Sequence, residues 1–463
     1  MTRRVLAGVF AAAWAGLVSA QAAAQPLPGT QDSTDGGVGG AVADAPSTAA
    51  DPAAAPASAP PVAAPASAPP VAAAPAKPTD ADVDLSALGL DPSAAAFDDK
   101  LNLYGFADFG FNGYHFPKAF LPVIPAANTR TFFLGNLNVY LARNLTPSVR
   151  ALTEVRFTYL PNASFNPGTG TYTSTATSDV TDYSRQVQWG GIIIERAYVE
   201  YDLTDYLTIR GGHWLTPYGI WNIDHGSPVI IATIRPFIIG QQFFPEHQTG
   251  LDLFGSHSER GFKLGYHVTA SNGRGGAEAQ ADMDSKLAFG GRLELETPWG
   301  LRIGGSYYRG RYTGLATTVG VPAESYLEAA WGADLQFDRG PLHVQAEYIA
   351  RDRHYENGNR PLAVTGTGFS ADGRDLGYYV LAGYRFDRLW NVMPYAYYQD
   401  YRPIDSFPTG FSGVKSMDGG LNFRPTPSLV LKAQVNYAVT PPLGGLLDGI
   451  TIIEYGAQAS WVF

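Results

Sequence analysis

From residue 101 to Phe463 apolar and polar residues alternate at a period of two, and that alternation restricts the chain to sheets whose faces meet different surroundings. Ile453, Tyr455, Ala457, Ala459, Trp461 and Phe463 share one parity, with Glu454, Gln458 and Ser460 on the other. Leu429, Leu431, Ala433, Val435 and Tyr437 alternate with Lys432, Gln434 and Asn436. Leu287, Phe289, Gly291, Leu293 and Leu295 alternate in the same way with Lys286, Arg292, Glu294 and Glu296. One face calls for hydrocarbon and the other for water.

Strand starts fall near 101, 131, 148, 192, 206, 248, 260, 286, 300, 326, 341, 376, 391, 415, 428 and 451, which makes about 16 strands. The connections between them alternate in length. Short ones are 144–148, 202–205, 255–260, 297–300, 338–341, 387–391 and 424–428; long ones include 161–188, 215–246, 271–285 and 351–375. Short turns at one end and long loops at the other are the topology of an outer-membrane barrel with both termini in the periplasm. The expected fold is therefore all-β, a transmembrane antiparallel β-barrel over residues 101–463. In hydrocarbon every backbone group must be paired internally, so such a sheet has to close. A soluble propeller or sandwich also alternates, but does not require this ordering of loops.

The region before the barrel divides in two. Residues 1–24 carry Arg3 and Arg4, an apolar run Val5 to Val18 and small residues around Ala20, the pattern of a cleaved secretory signal peptide. Residues 25–100 form a disordered Ala/Pro-rich periplasmic tether, with a short helix near 81–98 around Val83, Leu85, Leu88 and Leu90. The whole chain has a net charge of −10, but after Lys100 it holds 28 basic and 32 acidic residues, a net of −4, so a nucleic-acid partner is not expected. With no cysteine, disulfides and thiolate metal sites are excluded.

Two segments carry a resemblance. The ending Tyr455-Gly-Ala-Gln-Ala-Ser-Trp461-Val-Phe463 looks like the assembly signal of bacterial outer-membrane proteins, with Tyr455, Trp461 and Phe463 as its aromatics. Glu195 to Gly219 resembles the strand–turn–strand that leads into the third loop of general and phosphate-selective porins. The resemblance implies a homotrimeric diffusion channel for small polar solutes or ions, set in outer-membrane lipid, inserted by the barrel assembly machinery and narrowed by an inward third loop.

That loop is 215–246, in which Trp221, Asp224, His225, Arg235 and Phe237 are the candidate constriction residues, with Asp224, His225 and Arg235 expected to face solute. The polar parity assigns Arg196, Arg210, Lys263, Arg292, Arg302, Arg385, Arg424 and Lys432 to the pore lining, together with Asp108, Glu200, Glu294, Asp334, Glu347 and Asp418. Facing rows of acid and base would set a field across a wet pore, or else pair across strands and stiffen the wall. Bases nearly matched by acids depart from the basic ladder of phosphate-selective porins. Tyr104, Tyr307, Tyr348, Tyr378, Tyr384, Tyr437, Tyr455 and Trp461 suit interfacial girdles. Tyr104, Tyr308 and Tyr379 also fall on the polar parity, where they could stack on a sugar.

The eight histidines are isolated, and no phosphate-binding loop is present, so neither a metal, a cofactor nor an enzymatic role is expected. His213 alone stands near a strand end as a potential base, with no serine beside it. The alternative to a porin is a plugged, structural barrel whose tether anchors a periplasmic partner or the cell wall.

Overall fold

The computed structural model describes residues 100–117, 130–158, 163–166, 171–174, 191–223, 226–240, 242–275, 284–313, 325–355, 372–389, 391–403, 413–440 and 450–463. The expected signal peptide, tether and helix near 81–98 lie outside these residues. Sixteen antiparallel strands form one closed sheet. The first eight are β1 Asn102–His115, β2 Arg130–Thr146, β3 Val149–Thr158, β4 Gly191–Thr204, β5 Leu207–Leu215, β6 His247–Glu259, β7 Phe262–Ser271 and β8 Ala288–Glu296. The remainder are β9 Leu301–Thr313, β10 Ser325–Arg339, β11 Leu342–Tyr355, β12 Gly373–Tyr384, β13 Val392–Arg402, β14 Val414–Thr426, β15 Leu429–Thr440 and β16 Ile450–Val462. Arg274–Gly275 adds a short parallel bridge to the end of β9. Ala163–Asn166 and Thr171–Ser174 make a separate two-stranded hairpin.

Consecutive strands pair in order, and β1 closes on β16 with Phe106 opposite Val462 and His115 opposite Ile453. At the seam Phe463 and Gly105 exchange both backbone hydrogen bonds, each 2.9 Å. Each strand thus has two paired neighbours, the condition for a sheet in lipid. Starts agree with the expected positions to within a few residues; the widest departure is β12, expected near 376 and beginning at Gly373. The expected turn at 255–260 is shorter, because β6 runs to Glu259 and only Arg260 (φ 53) and Gly261 (φ 84) connect it to β7. Two left-handed residues suit the twist of a tight hairpin.

The outward parity is apolar, with Leu103, Ile194, Leu253, Val268, Leu293, Val380 and Val435 exposed. Trp299, Tyr384, Trp461 and Phe463 are exposed toward the short-turn end. The inward parity is polar over much of β2–β7, where Asn138, Glu154, Arg196, Arg210 and Asp252 are buried. Over β8–β16 aromatic and small residues such as Ala288, Tyr308, Ala330, Tyr379 and Tyr397 stand among charged and amide side chains and form one buried cluster with residues of the β5–β6 connection. Tyr104 departs from the girdle expectation. Its ring stacks on the inward Tyr140 at 4.9 Å, because its parity is that of the inner face.

Candidate functional site

The segment between β5 and β6 turns inward and is seated on the inner wall. Its base is clasped: Thr216 N donates to Glu246 O (2.9 Å), Thr216 Oγ1 to Pro245 O (2.5 Å), and Arg235 pairs with Glu246 at 2.8 Å. Arg235 therefore neutralises the loop's own carboxylate, where the sequence suggested a charge facing solute. Asp224 and His225 lie outside the described residues.

From the base the segment crosses the wall strand by strand. The Tyr218 hydroxyl lies 2.6 Å from Thr269 Oγ1 on β7, and Gly219 N donates to Ser306 Oγ on β9 at 3.2 Å. Trp221 N donates to Glu347 Oε1 on β11 at 3.1 Å, and its ring stands edge-on to Tyr379 of β12. Gly219 has φ +76, and a Cβ there would meet Glu347 Oε2 at 2.3 Å. A glycine supplies both the left-handed backbone and the close approach.

Further along, the wall supplies cations to loop carbonyls and amide oxygens to loop N–H groups. Lys432 Nζ donates to Ser227 O (2.6 Å) and Ala232 O (3.2 Å), Arg424 Nη2 to Pro228 O (2.7 Å), and Asn422 Nδ2 to Ile231 O (3.1 Å). Gln434 Oε1 accepts from Thr233 N (2.8 Å) and Ile234 N (3.2 Å), and Gln399 Oε1 accepts from Phe237 N (2.7 Å) at the start of the single-turn α1 Phe237–Gly240. Finally Arg274 and Arg351 both donate to Gln242 O. A buried irregular backbone must find such partners, and here the wall provides them.

Between these polar contacts lies the apolar seat. Trp221, Phe237, Ile238, Ile239, Phe243 and Phe244 pack with Tyr308, Tyr379, Tyr397 and Tyr401 in the buried cluster. Trp221 and Phe237 thus anchor the loop to the wall. Tyr308 and Tyr379 are 0% exposed beneath it and are not available to stack on a sugar.

The charges assigned to the pore all fall on the inner side, in two groups. Lys432, Arg424 and Glu347 hold the loop directly, and Asp418 does so through Gln434, whose Nε2 donates to it at 3.0 Å. The second group pairs along the wall from β3 to β10. Arg150 bridges Glu200 (2.9 Å) and Asp202 (2.5 Å), and Arg210 bridges Glu200 (2.8 Å) and Asp252 (3.4 Å). Arg292 bridges Asp334 (2.5 Å) and Glu294 (2.7 Å), which in turn lies 3.8 Å from Arg302. Arg196 pairs with Glu154 at 2.6 Å beside Tyr140. Asp108 is buried on β1, Lys263 is half-buried in register with Glu296, and Arg385 sits in the β12–β13 turn, donating to Asn391 O. Cross-strand pairing therefore accounts for most of the second group.

Several partners were missed from the sequence. Glu154 and Asp252 share the parity of the charges that were assigned, so alternation could have found them. Gln399, Asn422 and Gln434 share that inward parity but carry no charge, and their loop partners are far away in the chain. Arg274, Arg351 and Glu328 gather at the long-loop end of the wall, where Arg274 pairs with Glu328. His213, the isolated potential base, lies 2.8 Å from Thr249 Oγ1 and stacks on His247. Among the described residues no group of three His, Cys, Asp or Glu could hold a metal ion.

A closed wall, an apolar exterior, a polar interior and a long segment folded inside define the class: a sixteen-stranded antiparallel β-barrel with the exterior of a membrane-spanning barrel. No family model matches the chain. An uncharacterized protein of Aquifex aeolicus is 25% identical over 283 residues, covering 53% of this chain and 61% of that protein, so the chain spans less than two thirds of the relative's length. Among solved structures the chain is similar to the outer membrane channel DcaP of Acinetobacter baumannii (12% identity, 79% of this chain and 97% of that one, TM-score 0.48). It is also similar to an anion-selective porin from Comamonas acidovorans (11%, 79% and 99%, TM-score 0.46) and to OmpT, an outer membrane protein of Vibrio cholerae (9%, 79% and 99%, TM-score 0.44).

Proposed function

We propose that the barrel is a non-enzymatic diffusion channel for small polar solutes or ions, narrowed at a fixed height by the β5–β6 segment and working as a homotrimer. One observation carries this reading: wall side chains from β7, β9, β11, β13, β14 and β15 all bind the backbone or side chains of that segment. A loop held at so many points occupies part of the cross-section permanently. Of the paired charges on the β3–β10 wall, Arg150, Asp202, Glu294 and Arg302 keep part of their side chains exposed, and both signs on one wall favour polar over apolar solutes with little preference between signs.

The test is single-channel recording of the refolded mature protein in a planar bilayer under a salt gradient. Stable steps with a reversal potential near zero are expected, and deletion of residues 229–237 should enlarge them. Unchanged steps in the deletion would remove the loop from the narrowing. Silence from well-folded protein would favour the plugged anchor, with the Ala/Pro-rich segment as its working part.

A further inference from the structure

From Arg150 on β3 to Arg353 on β11, each arginine of the inner face has a carboxylate at 3.8 Å or closer. Arg385 and Arg424 do not. Arg385 donates to Asn391 O (3.4 Å) and Met393 Sδ (3.3 Å), and Arg424 to Pro228 O (2.7 Å) and Val229 O (3.2 Å), all uncharged acceptors. Met393 is in register with Asn422, two positions before Arg424, so the two guanidinium groups stand on either side of the start of β13, near enough to repel one another. Lys432 on β15 gives its protons to Ser227 O and Ala232 O, with Asp108 acting on it from farther away.

The imbalance extends to the turns. Within five residues of the short-turn end, strands β3 to β9 and their turns carry as many acids as bases. The same stretch of β10 to β15 carries Arg339, Arg385, Arg388, Arg424 and Lys432 against Asp338 and Asp387, and Asp338 is engaged by His343 at 2.5 Å. Like charges gathered beside a low-dielectric wall are unfavourable without an anion, so this side of the mouth calls for one. The chain enters the barrel at the same end, since Asn102 of β1 pairs with Ala142 near the β2–β3 turn. Residues 80–99, just before it, hold Asp80, Asp82, Asp84, Asp91, Asp98 and Asp99 and no lysine or arginine. Their reach is sufficient. Four strand spacings of about 4.8 Å, roughly 19 Å, separate β1 from β13, and the chain from Ser93 to Lys100 extends to about 25 Å.

We infer that residues 80–99 dock on the β10–β15 side of the short-turn mouth, where their aspartates supply the counter-charge of Arg385, Arg388 and Arg424. A guanidinium presents paired N–H groups that match a carboxylate, so arginines are well suited to hold such a segment. The docked segment sets the charge that a solute meets at the periplasmic entrance.

The test is disulfide trapping in the refolded mature protein, which has no cysteine of its own. Ser93→Cys is paired either with Leu389→Cys in the β12–β13 turn or with Tyr206→Cys in the β4–β5 turn, which lies no farther from β1 on the other side; both partner positions are exposed and all the docking charges are kept. The Ser93/Leu389 pair should oxidise about tenfold faster than the Ser93/Tyr206 pair, within one chain by its mass on a denaturing gel. Replacing the six aspartates of 80–99 by asparagine, or Arg385→Gln/Arg388→Gln on the wall, should remove that preference, and 1 M salt, with a screening length of about 3 Å, should reduce it. Equal rates for the two pairs, or cross-links only between chains, would overturn the inference. So would a preference that survives both sets of charge substitutions, which would leave the arginines to passing anions.

Discussion

Gln434 and Asp418 are joined at 3.0 Å, Nε2 to Oδ1, and this bond determines which end of the Gln434 amide faces the inward loop. With its nitrogen committed to Asp418, the amide turns its oxygen to Thr233 N, Thr233 Oγ1, Ile234 N and the Tyr395 hydroxyl. Asp418 also accepts from Ser416 Oγ (2.9 Å) and Asn436 Nδ2 (2.5 Å). The carboxylate thereby orients an amide that in turn positions a backbone.

Gln434→Met should release this stretch of loop. It leaves the N–H groups of Thr233 and Ile234 without their acceptor, at about 1–3 kcal/mol for each group left buried and unpaired. The expected result is a noisier channel with larger excursions and a lower thermal midpoint by circular dichroism. Steady, wild-type traces would show that the amide does not hold the loop.

Glu347 anchors the first half of the loop, accepting from Trp221 N and from the Tyr379 hydroxyl at 2.6 Å. Glu347→Gln retains a carbonyl oxygen for these donors and should change conductance little. Glu347→Leu removes the acceptor and should raise conductance. Equal effects of the two substitutions would indicate that charge, and not hydrogen bonding, is what the position supplies.

Gly219→Ala should displace the same stretch by a different route. The left-handed φ of +76 costs a residue with a Cβ about 1–2 kcal/mol, and the new methyl would lie 2.3 Å from Glu347 Oε2. Altered conductance is expected in a barrel whose electrophoretic mobility is normal. Combining it with Glu347→Leu, which clears the clash, should give less than the sum of the two effects.

Arg292 and Asp334 are nearly inaccessible and joined at 2.5 Å. Arg292→Leu leaves the Asp334 carboxylate buried without its cation and should destabilise the barrel by about 3–5 kcal/mol. The Arg292→Leu/Asp334→Leu double variant should recover most of that loss. Urea unfolding from lipid vesicles measures both, and a double variant as unstable as the single one would mean that the pair contributes more than mutual neutralisation.

How much was legible from the sequence follows from the range of each interaction. Parity could be read residue by residue, because neighbouring side chains on a strand point to opposite faces; Lys432, Glu347 and Arg292 were placed inside on that ground alone. Turn positions followed from where the alternation stops. The connection expected at 255–260 is shorter because the ladder continues through Gly255 and Ser256 to Glu259, and two left-handed residues at 260 and 261 are enough to reverse the chain. Tyr308 and Tyr379 were also read as inward, correctly, yet nothing near them in the chain announces the loop that covers them.

The period, the two faces, the strand count and the order of short and long connections each depend on residues adjacent or nearly adjacent in the chain, and so could be read from it. What the inward charges do depends on contacts that form only when the chain folds. Gln434 meets Thr233 across 201 positions, Lys432 meets Ser227 across 205, and Trp221 meets Glu347 across 126. Such contacts arise when the sheet closes and brings the loop against a wall made mostly of later strands. Until then a lysine on the polar parity could as well face open water, a neighbouring carboxylate or a loop carbonyl.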